Sequence, residues 1–371
     1  MKGVFWVSFL FTLYTYGGYP LWLSLRARRN SRPVRSAPIT PSVSFVVAVY
    51  NEELVLPRKL RNLSELDYPA DRYEVVVVSD GSRDSTPEIL AGWPDKRLRA
   101  VLVSPHEGKA AAINRGVAVA QGEIIVFTDA RQEIQRDALR HLVSNFADPS
   151  VGCVSGELML EDPGRKTSGK GVGLYWALEK RMREWESALG SMIGATGALY
   201  AVRRELVVSL PPATLLDDVY LPLEVVRQGK RAIFEPRARA FDQVVAAGRE
   251  FRRKVRTLTG NYQLLRLAPW LLSRENPLGF EFVSHKLFRL WVPFALLGLL
   301  VSSLFLRGAF YQLMLGLQCI FYGLAGVALL HPRLGVLRRL GDVSLAFLVL
   351  NTAAAMALFY FLKGKKEVWV R

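Results

Sequence analysis

Acidic residues follow several short apolar runs in this sequence, where carboxylates could bind cations or move protons. Asp129 follows the run in VFTDARQEI (126–134). Two carboxylates spaced Asp-x-Asp could hold a metal ion between them, but Arg131 stands at the second acidic position. The stretch is therefore open to three interpretations: a metal site, a modified metal site, or a strand followed by a loop.

The elements that must position these side chains alternate between strand and helix. The run at 43–50 is β-branched and lacks polar alternation, as expected of a strand buried on both faces. Further strands are predicted at 73–80, 99–104 and 123–129. Helical segments are predicted between them, including GKAAAINRGVAVA (108–120). This alternation predicts an α/β domain with a mostly parallel sheet, in which ligands bind at the carboxyl ends of the strands.

Three of these strand ends carry polar groups on the same predicted edge. Asp and Gly after a single strand are ordinary turn chemistry. Three such ends together predict a site for a polar, phosphorylated ligand. The three ends are Tyr50-Asn51-Glu52, Ser79-Asp80-Gly81-Ser82 and Thr128-Asp129-Ala130-Arg131.

Long apolar runs at both ends of the 371-residue chain predict membrane spans. Residues 3–25 carry no charge, and about 20 apolar residues suffice for a transmembrane helix. A cleaved signal peptide is the alternative, but the run is too long and no Ala-x-Ala-like site follows it. Three more spans are predicted at roughly 287–306, 309–330 and 343–362.

The distribution of arginine predicts the orientation. RARRNSRPVR (26–35) has five arginines directly after the first run, and short cytoplasmic segments carry such an excess. We therefore expect the polar middle, 36–285, in the cytoplasm. The loop 331–342 agrees, whereas the basic tail, 363–371, would fall on the other side and conflicts with the rule.

The formal net charge of +16 does not require a nucleic-acid partner. Most of the excess flanks the predicted spans, so anionic lipid headgroups are the simpler partner. Cys153 and Cys319 are not expected to pair, because a cytoplasmic domain keeps its thiols reduced. Four histidines without a Cys or His spacing pattern argue against a zinc site.

An ordered set of motifs resembles the membrane-bound glycosyltransferases of family 2, a group that contains cellulose, hyaluronan and poly-N-acetylglucosamine synthases. The resemblance covers nearly the whole chain. Each motif is weak alone, but their order and spacing are specific. They are VAVYNEE (47–53), VVVSDGSRDST (76–86), EGKAAAINRG (107–116), FTDAR (127–131), GATGALYAVRR (194–204), LLDDVYLP (215–222) and RKVRT (253–257).

The resemblance implies a GT-A type, Rossmann-like fold and a nucleotide-sugar donor, most often a UDP-sugar. Tyr50 and Glu52 would then lie against the base and ribose. Asp80 would contact the nucleoside, and Lys109 would bind the donor or be a solvated lysine at a helix start. Asp129 would face the diphosphate and hold a divalent metal, Mg²⁺ or Mn²⁺, which offsets the phosphate charge.

The same resemblance assigns the acceptor side. Asp217 and Asp218 match the family's acidic pair, whose second member is the base, so Asp218 would take the proton of the acceptor hydroxyl. The alternative is that the pair only caps a helix. Gly197 would belong to the floor of the acceptor pocket, or serve only packing.

Arg253 and Arg256 would clamp the diphosphate, since planar guanidinium groups suit it. The alternative is a basic amphipathic segment that lies on anionic lipid. Thr257 stands where the family has Trp, in a part of the site that binds the acceptor of processive synthases. This difference weakens the case for long-chain synthesis.

The predicted organisation has five parts: an N-terminal span (1–25), a basic linker (26–41), the catalytic domain (42–250), interfacial helices (251–286) and three further spans (287–371). The predicted protein is an inverting glycosyltransferase of the inner or plasma membrane, acting on a growing polysaccharide or lipid-linked acceptor. One alternative is transfer of a single sugar to a polyprenyl-phosphate or glycolipid. Another is a non-catalytic protein that binds nucleotide sugars.

Overall fold

A mixed β-sheet lies at the centre of the molecule in the computed structural model, which describes residues 1–161, 170–243, 247–330 and 335–364. Its strands within these ranges are β1 (Val43–Val49), β2 (Tyr73–Asp80), β3 (Leu98–Val103), β4 (Ile124–Phe127), β5 (Glu133–Ile134), β6 (Val151–Glu161), β7 (Tyr200–Arg203) and β8 (Arg231–Gln243). They pair in the order β3-β2-β1-β4-β7-β6-β8-β5.

The first four strands form the parallel part of the sheet. β1 pairs in parallel with β2 and β4, and β2 with β3. The predicted parallel α/β domain is therefore confirmed. β4 to β7, β7 to β6 and β8 to β5 are antiparallel, while β6 to β8 is parallel. β4 ends at Phe127, two residues short of the predicted 123–129, so that Thr128 and Asp129 lie in the turn after it.

Helices cover both faces of the sheet and continue beyond it. They are α1 (Lys2–Leu13), α2 (Tyr19–Arg29), α3 (Leu56–Ser64), α4 (Thr86–Ala91), α5 (Lys109–Val119), α6 (Ala138–Ser144), α7 (Lys170–Leu189), α8 (Asp217–Arg227), α9 (Ala247–Leu267), α10 (Gly279–Glu281), α11 (Phe288–Phe305), α12 (Ala309–Leu330) and α13 (Gly335–Leu362). Single π-helical segments join α1 to α2 and α10 to α11.

The position of α5 depends on its close contact with the sheet. A side-chain carbon added at Gly116 would lie 2.6 Å from Val46 Cγ1, so only glycine lets the helix pack this closely. At the other end, Gly108 precedes the helix with a φ of +97°, a value that favours glycine. The two glycines together place Lys109, the first residue of α5, at the carboxyl edge of the parallel strands.

Three helical stretches among the described residues are long and apolar enough to cross a membrane: Gly279–Phe305, Ala309–Leu330 and Leu340–Leu362. They coincide with the three C-terminal runs predicted from the sequence. The N-terminal run is helical and packs on them, since the Phe5 ring makes an edge contact with Tyr311 at 4.9 Å. It is not among the three stretches, and its crossing of the membrane stays a prediction.

Three further predictions concern the cysteines, the basic tail and the domain limits. Cys153 is buried, Cys319 is exposed, and both are free thiols, as expected. The basic tail that conflicted with the topology falls largely outside the described residues, as does the start of the 331–342 loop. The predicted domain limits stay predictions.

Candidate active site

One lysine and three carboxylates meet at the carboxyl edge of the parallel strands. Lys109 Nζ lies 3.0 Å from Asp129 Oδ1 and 3.1 Å from Asp217 Oδ1. Asp129 follows β4, and Asp217 and Asp218 open α8. Residues more than 100 positions apart in the sequence therefore form a single ionic cluster. The side chains of Lys109 and Asp129 are 44% and 42% exposed, so the cluster is open to a ligand.

The surroundings of Asp218 in this cluster raise the pKa of its carboxyl group. Burial, followed by the charge of the adjacent Asp217, raises its pKa from 3.8 to about 6. The N–H of Gly197 donates a 2.9 Å hydrogen bond to Asp218 Oδ2, which fixes the carboxylate and opposes the rise. A base with a pKa close to the operating pH is both deprotonated and basic enough to accept a proton.

The lysine and the carboxylates of the cluster each stabilise the charged form of the other. Burial alone would lower the pKa of Lys109, but the carboxylates of Asp129, Asp217 and Asp218 outweigh it and raise the pKa above the ordinary value. Burial would likewise raise the pKa of Asp129, but Lys109 and Arg256 hold it below its ordinary value. Lys109 is therefore cationic and Asp129 anionic at neutral pH.

The predicted helix-capping role of the acidic pair does not explain its contacts. Asp217 accepts a 3.0 Å hydrogen bond from the hydroxyl of Tyr200 and pairs with Lys109. No side-chain cap hydrogen bond is formed at the start of α8, where Leu216 is the N-cap residue. The pair instead faces the ionic cluster.

The nucleoside-side residues of the prediction lie around the ends of β1 and β2. The ring of Tyr50 contacts that of His106 in a tilted arrangement, with centroids 4.3 Å apart. Glu52 lines a surface cavity of about 440 Å³. Asp80 is nearly buried, and its two oxygens accept hydrogen bonds from the N–H groups of Glu107 and Gly108. Asp80 thus holds the loop before α5, and its contact with a nucleoside stays a prediction.

The two predicted arginines sit on one side of α9, three residues apart, as neighbours on a helix surface do. Arg253 Nη1 lies 3.9 Å from Asp242 Oδ2. Arg256 is close enough to Asp129 to lower its pKa. α9 therefore turns a basic face to the strand ends, which favours the phosphate role over the purely lipid-bound alternative.

The local sequence did not reveal several side chains that shape the site. Lys59 is buried and donates 2.8 Å hydrogen bonds to Thr128 Oγ1 and to the Gln132 carbonyl. It thereby fixes the turn that carries Asp129. Burial lowers its pKa to about 7. Tyr200 lay within the GATGALYAVRR motif, but nothing in the motif singled out its hydroxyl.

A divalent cation has few protein ligands to use here. Within the described ranges, no group of three or more His, Cys, Asp or Glu side chains could hold a metal ion. Asp217 is already engaged by Lys109 and Tyr200, and Arg131 replaces the second acid of an Asp-x-Asp pair. Asp129 also pairs with Lys109, but its side chain is 42% exposed, whereas that of Asp217 is 5% exposed. Of these two carboxylates, Asp129 is therefore the one that fits a cation whose other ligands would be phosphate oxygens and water.

Comparison with known proteins agrees with this geometry. Residues 44–209 match the family model for glycosyl transferase family 2. The chain carries a family 2 glycosyltransferase domain. The resemblance deduced from the motifs is thus confirmed.

Two relatives of this chain are named as glycolipid synthases. The chain is 31% identical over 248 residues to a beta-monoglucosyldiacylglycerol synthase of Trichormus variabilis, covering 64% of this chain and 53% of the relative. A protein of the same name from Synechocystis is 26% identical over 346 residues, covering 84% and 72%. The chain thus spans about half the length of the first relative.

Another relative is named as a polysaccharide synthase. The poly-beta-1,6-N-acetyl-D-glucosamine synthase of Staphylococcus aureus is 22% identical over 281 residues, covering 74% of this chain and 68% of the relative.

A solved structure shares the fold of this chain over almost its whole length. A mannosyltransferase of Pyrobaculum calidifontis, in complex with GDP-mannose and Mn²⁺, is 26% identical with a TM-score of 0.74. The match covers 98% of this chain and all of the other. The predicted GT-A fold class is confirmed.

Proposed function

We propose that this protein is an inverting glycosyltransferase that moves a sugar from a nucleotide-sugar donor to an acceptor hydroxyl at a membrane surface. The observation that carries the proposal is the site around Asp218. A carboxylate with a pKa of about 6 lies next to a lysine that pairs with the carboxylate predicted to face the diphosphate.

In the proposed reaction, Asp218 accepts the proton of the acceptor hydroxyl as its oxygen attacks the anomeric carbon. The new carbon–oxygen bond forms as the bond between that carbon and the diphosphate oxygen breaks. The nucleoside diphosphate leaves with the electron pair, and the proton remains on Asp218 until it passes to solvent. Lys109 and Arg256 supply positive charge for the leaving diphosphate.

A divalent metal ion, Mg²⁺ or Mn²⁺, completes the proposed site on Asp129. When bound, it would neutralise charge on the diphosphate as a Lewis acid. The fit of a single half-exposed carboxylate supports weak metal affinity without the donor, because most ligands must come from phosphate and water. The Mn²⁺ in the similar mannosyltransferase structure supports the proposal.

The donor is proposed to be a UDP-sugar, with Tyr50, Glu52 and Asp80 at the nucleoside end. The similar mannosyltransferase structure holds GDP-mannose, so both nucleotides belong in the first assays.

The acceptor is proposed to be a membrane lipid that receives a single sugar. Two relatives are named for this chemistry, and Thr257 differs from the Trp of processive synthases. A growing polysaccharide is the second candidate, which the polysaccharide-synthase relative favours. Gly197 would line the acceptor pocket in both, because its N–H already binds the proposed base.

The proposed location is the inner or plasma membrane, with the catalytic domain on the cytoplasmic side. Three helices of sufficient length and hydropathy support attachment to a membrane. The arginine-rich segment at 26–35 supports the orientation.

Protein purified in detergent, given UDP- and GDP-sugars, Mn²⁺ and lipid extracts, tests the proposal. We expect release of nucleoside diphosphate that requires an acceptor and is abolished in Asp218→Asn. Product size separates one added sugar from a polymer. Donor binding without turnover, across all donors and acceptors offered, would reject the enzyme and favour a non-catalytic nucleotide-sugar binding protein.

A further inference from the structure

The carboxylate of Asp242 binds cationic and amide side chains from two separate parts of the chain. Its carboxylate accepts hydrogen bonds from Arg131 Nε at 3.1 Å and from Arg131 Nη2 at 2.8 Å. The amide of Gln132 donates another at 3.0 Å, and Arg253 of α9 lies 3.9 Å away. The Asp242 side chain is 1% exposed, so it joins the turn after β4 to α9 from inside the domain.

Arg131 is held by this carboxylate but is not enclosed by it. The bonds to Asp242 use Nε and Nη2, and a guanidinium group has five N–H donors in a planar fork. The side chain of Arg131 is 45% exposed. The side chain of Asp129, two residues earlier, is 42% exposed. Arg131 can therefore bind Asp242 on one side and a second anion on the other.

The charges around this point favour an anionic ligand. Arg131 and Arg253 approach one buried carboxylate, Asp242. Arg253 also lies 3.9 Å from Glu250, which pairs with Lys254 at 3.2 Å. Three cationic side chains therefore face two carboxylates, which leaves one positive charge in excess. Lys59, under the same turn, donates to the Gln132 carbonyl. A diphosphate beside Asp129 would meet this excess charge, and planar guanidinium donors match phosphate oxygens better than a point charge does.

We propose that Arg131 binds the diphosphate of the donor and that Asp242 is the positioning residue that aims it. The inference rests on the proposed function and deepens it. Arg131 stands where an Asp-x-Asp pair would have its second carboxylate. A fixed cation thus takes over part of the charge neutralisation that a second metal-binding carboxylate would support, and Asp242 fixes the rotamer of that cation.

The chain offers a matched control for Asp242. Glu235 lies on the same strand, β8, and its side chain is also buried, at 6% exposure. It accepts two hydrogen bonds from the guanidinium group of Arg237, at 2.8 and 2.9 Å, one from the backbone N–H of Arg237 at 3.1 Å, and one from the amide of Asn145 at 3.0 Å. Glu235→Gln therefore removes a comparable buried ionic pair at a place where no nucleotide sugar is expected to bind.

The experiment measures, by calorimetry, the binding of UDP and GDP to the full chain in detergent, with uridine and guanosine measured separately for comparison. The melting temperature of each variant is measured as well. We expect Arg131→Gln and Asp242→Asn each to weaken diphosphate binding about tenfold or more, the scale of a lost charge-assisted hydrogen bond. Nucleoside binding should change less than twofold. The double variant should be no weaker than the weaker single variant, because both changes remove one interaction.

The controls separate positioning from folding. Glu235→Gln should lower the melting temperature as much as Asp242→Asn does and leave diphosphate affinity unchanged. The inference is overturned if Asp242→Asn lowers only the melting temperature, or if the losses in the double variant add. Arg131→Gln changes a half-exposed side chain and keeps the test open if Asp242→Asn fails to fold. Wild-type protein that binds neither nucleotide would reject the proposed function together with the inference.

Discussion

The pair Asp217 and Asp218 predicts how the rate should depend on pH. If Asp218 is the base, only its deprotonated form reacts. Its pKa is raised from 3.8 to about 6, so kcat/KM should be high above this value and fall as pH decreases through it. At pH 5, about one tenth of the molecules would carry the active carboxylate, which predicts a roughly tenfold loss relative to the plateau.

Two substitutions should move this midpoint in opposite directions. Burial is the largest cause of the raised pKa of Asp218, and the charge of Asp217 comes next. Asp217→Asn removes that charge and should lower the midpoint by about one pH unit, so that about half of the plateau rate survives at pH 5. Lys109 lowers the pKa of Asp218, so Lys109→Met should raise the midpoint above that of the wild type.

The assay is kcat/KM for the donor between about pH 4.5 and 8.5, with each variant normalised to its own plateau. Normalisation is necessary because both substitutions also break the ionic cluster and lower the plateau. Asp95→Asn is the control, since it removes a distant, partly exposed carboxylate that pairs with Arg97 and should leave the midpoint in place. A wild-type midpoint near 4, or shifts of the same sign in both variants, would refute Asp218 as the tuned base.

Three further substitutions test the parts around the base. Asp218→Asn should abolish turnover, by about 100-fold or more, while the melting temperature at pH 7.5 stays equal or rises, because a carboxylate with a raised pKa is unfavourable in the folded state. Tyr200→Phe removes the hydroxyl that donates to Asp217 and should reduce kcat/KM about two- to tenfold; no change would show that this bond does not order the site. Gly197→Ala would place a carbon 3.2 Å from Asp218 Oδ2 and should lower kcat about tenfold or more by displacing the base, whereas a fall only in melting temperature would contradict that role.

The sequence predicts which residues lie at the carboxyl edge of the parallel strands, because their place there follows from the local pattern. β-branched runs with polar ends fix which residues leave a parallel sheet at its carboxyl edge. Asp129 was found in this way, by its place after β4. For Lys109 the sequence predicts two alternatives, a residue that binds the sugar donor or a solvated lysine. A lysine at a helix start gives no local indication of its partners. The structure shows two partners, Asp129 and Asp217.

The chemistry of individual groups depended on contacts that no local pattern contains. Asp80 is predicted to contact a nucleoside, and the structure adds two hydrogen bonds that it accepts from N–H groups of the loop before α5. Lys59 belongs to none of the sequence motifs, and it is buried under the turn that carries Asp129. Both effects arise from tertiary packing, which overrides what a residue type would do at the surface.

Arg131 shows most clearly why a local motif does not predict the role of a side chain. In VFTDARQEI it stands at the position of a missing carboxylate and could itself place positive charge beside the phosphates, but the motif does not show what holds its side chain. The deciding neighbour, Asp242, lies 111 residues further along the chain. With its guanidinium group anchored there, Arg131 no longer counts only as a lost metal ligand. A metal bound by Asp129 and a cation fixed by Asp242 can share the same diphosphate. Chelation of the metal should therefore weaken nucleoside diphosphate binding more in Arg131→Gln than in the wild type, and an equal loss in both proteins would show that Arg131 and the metal do not act on the same group.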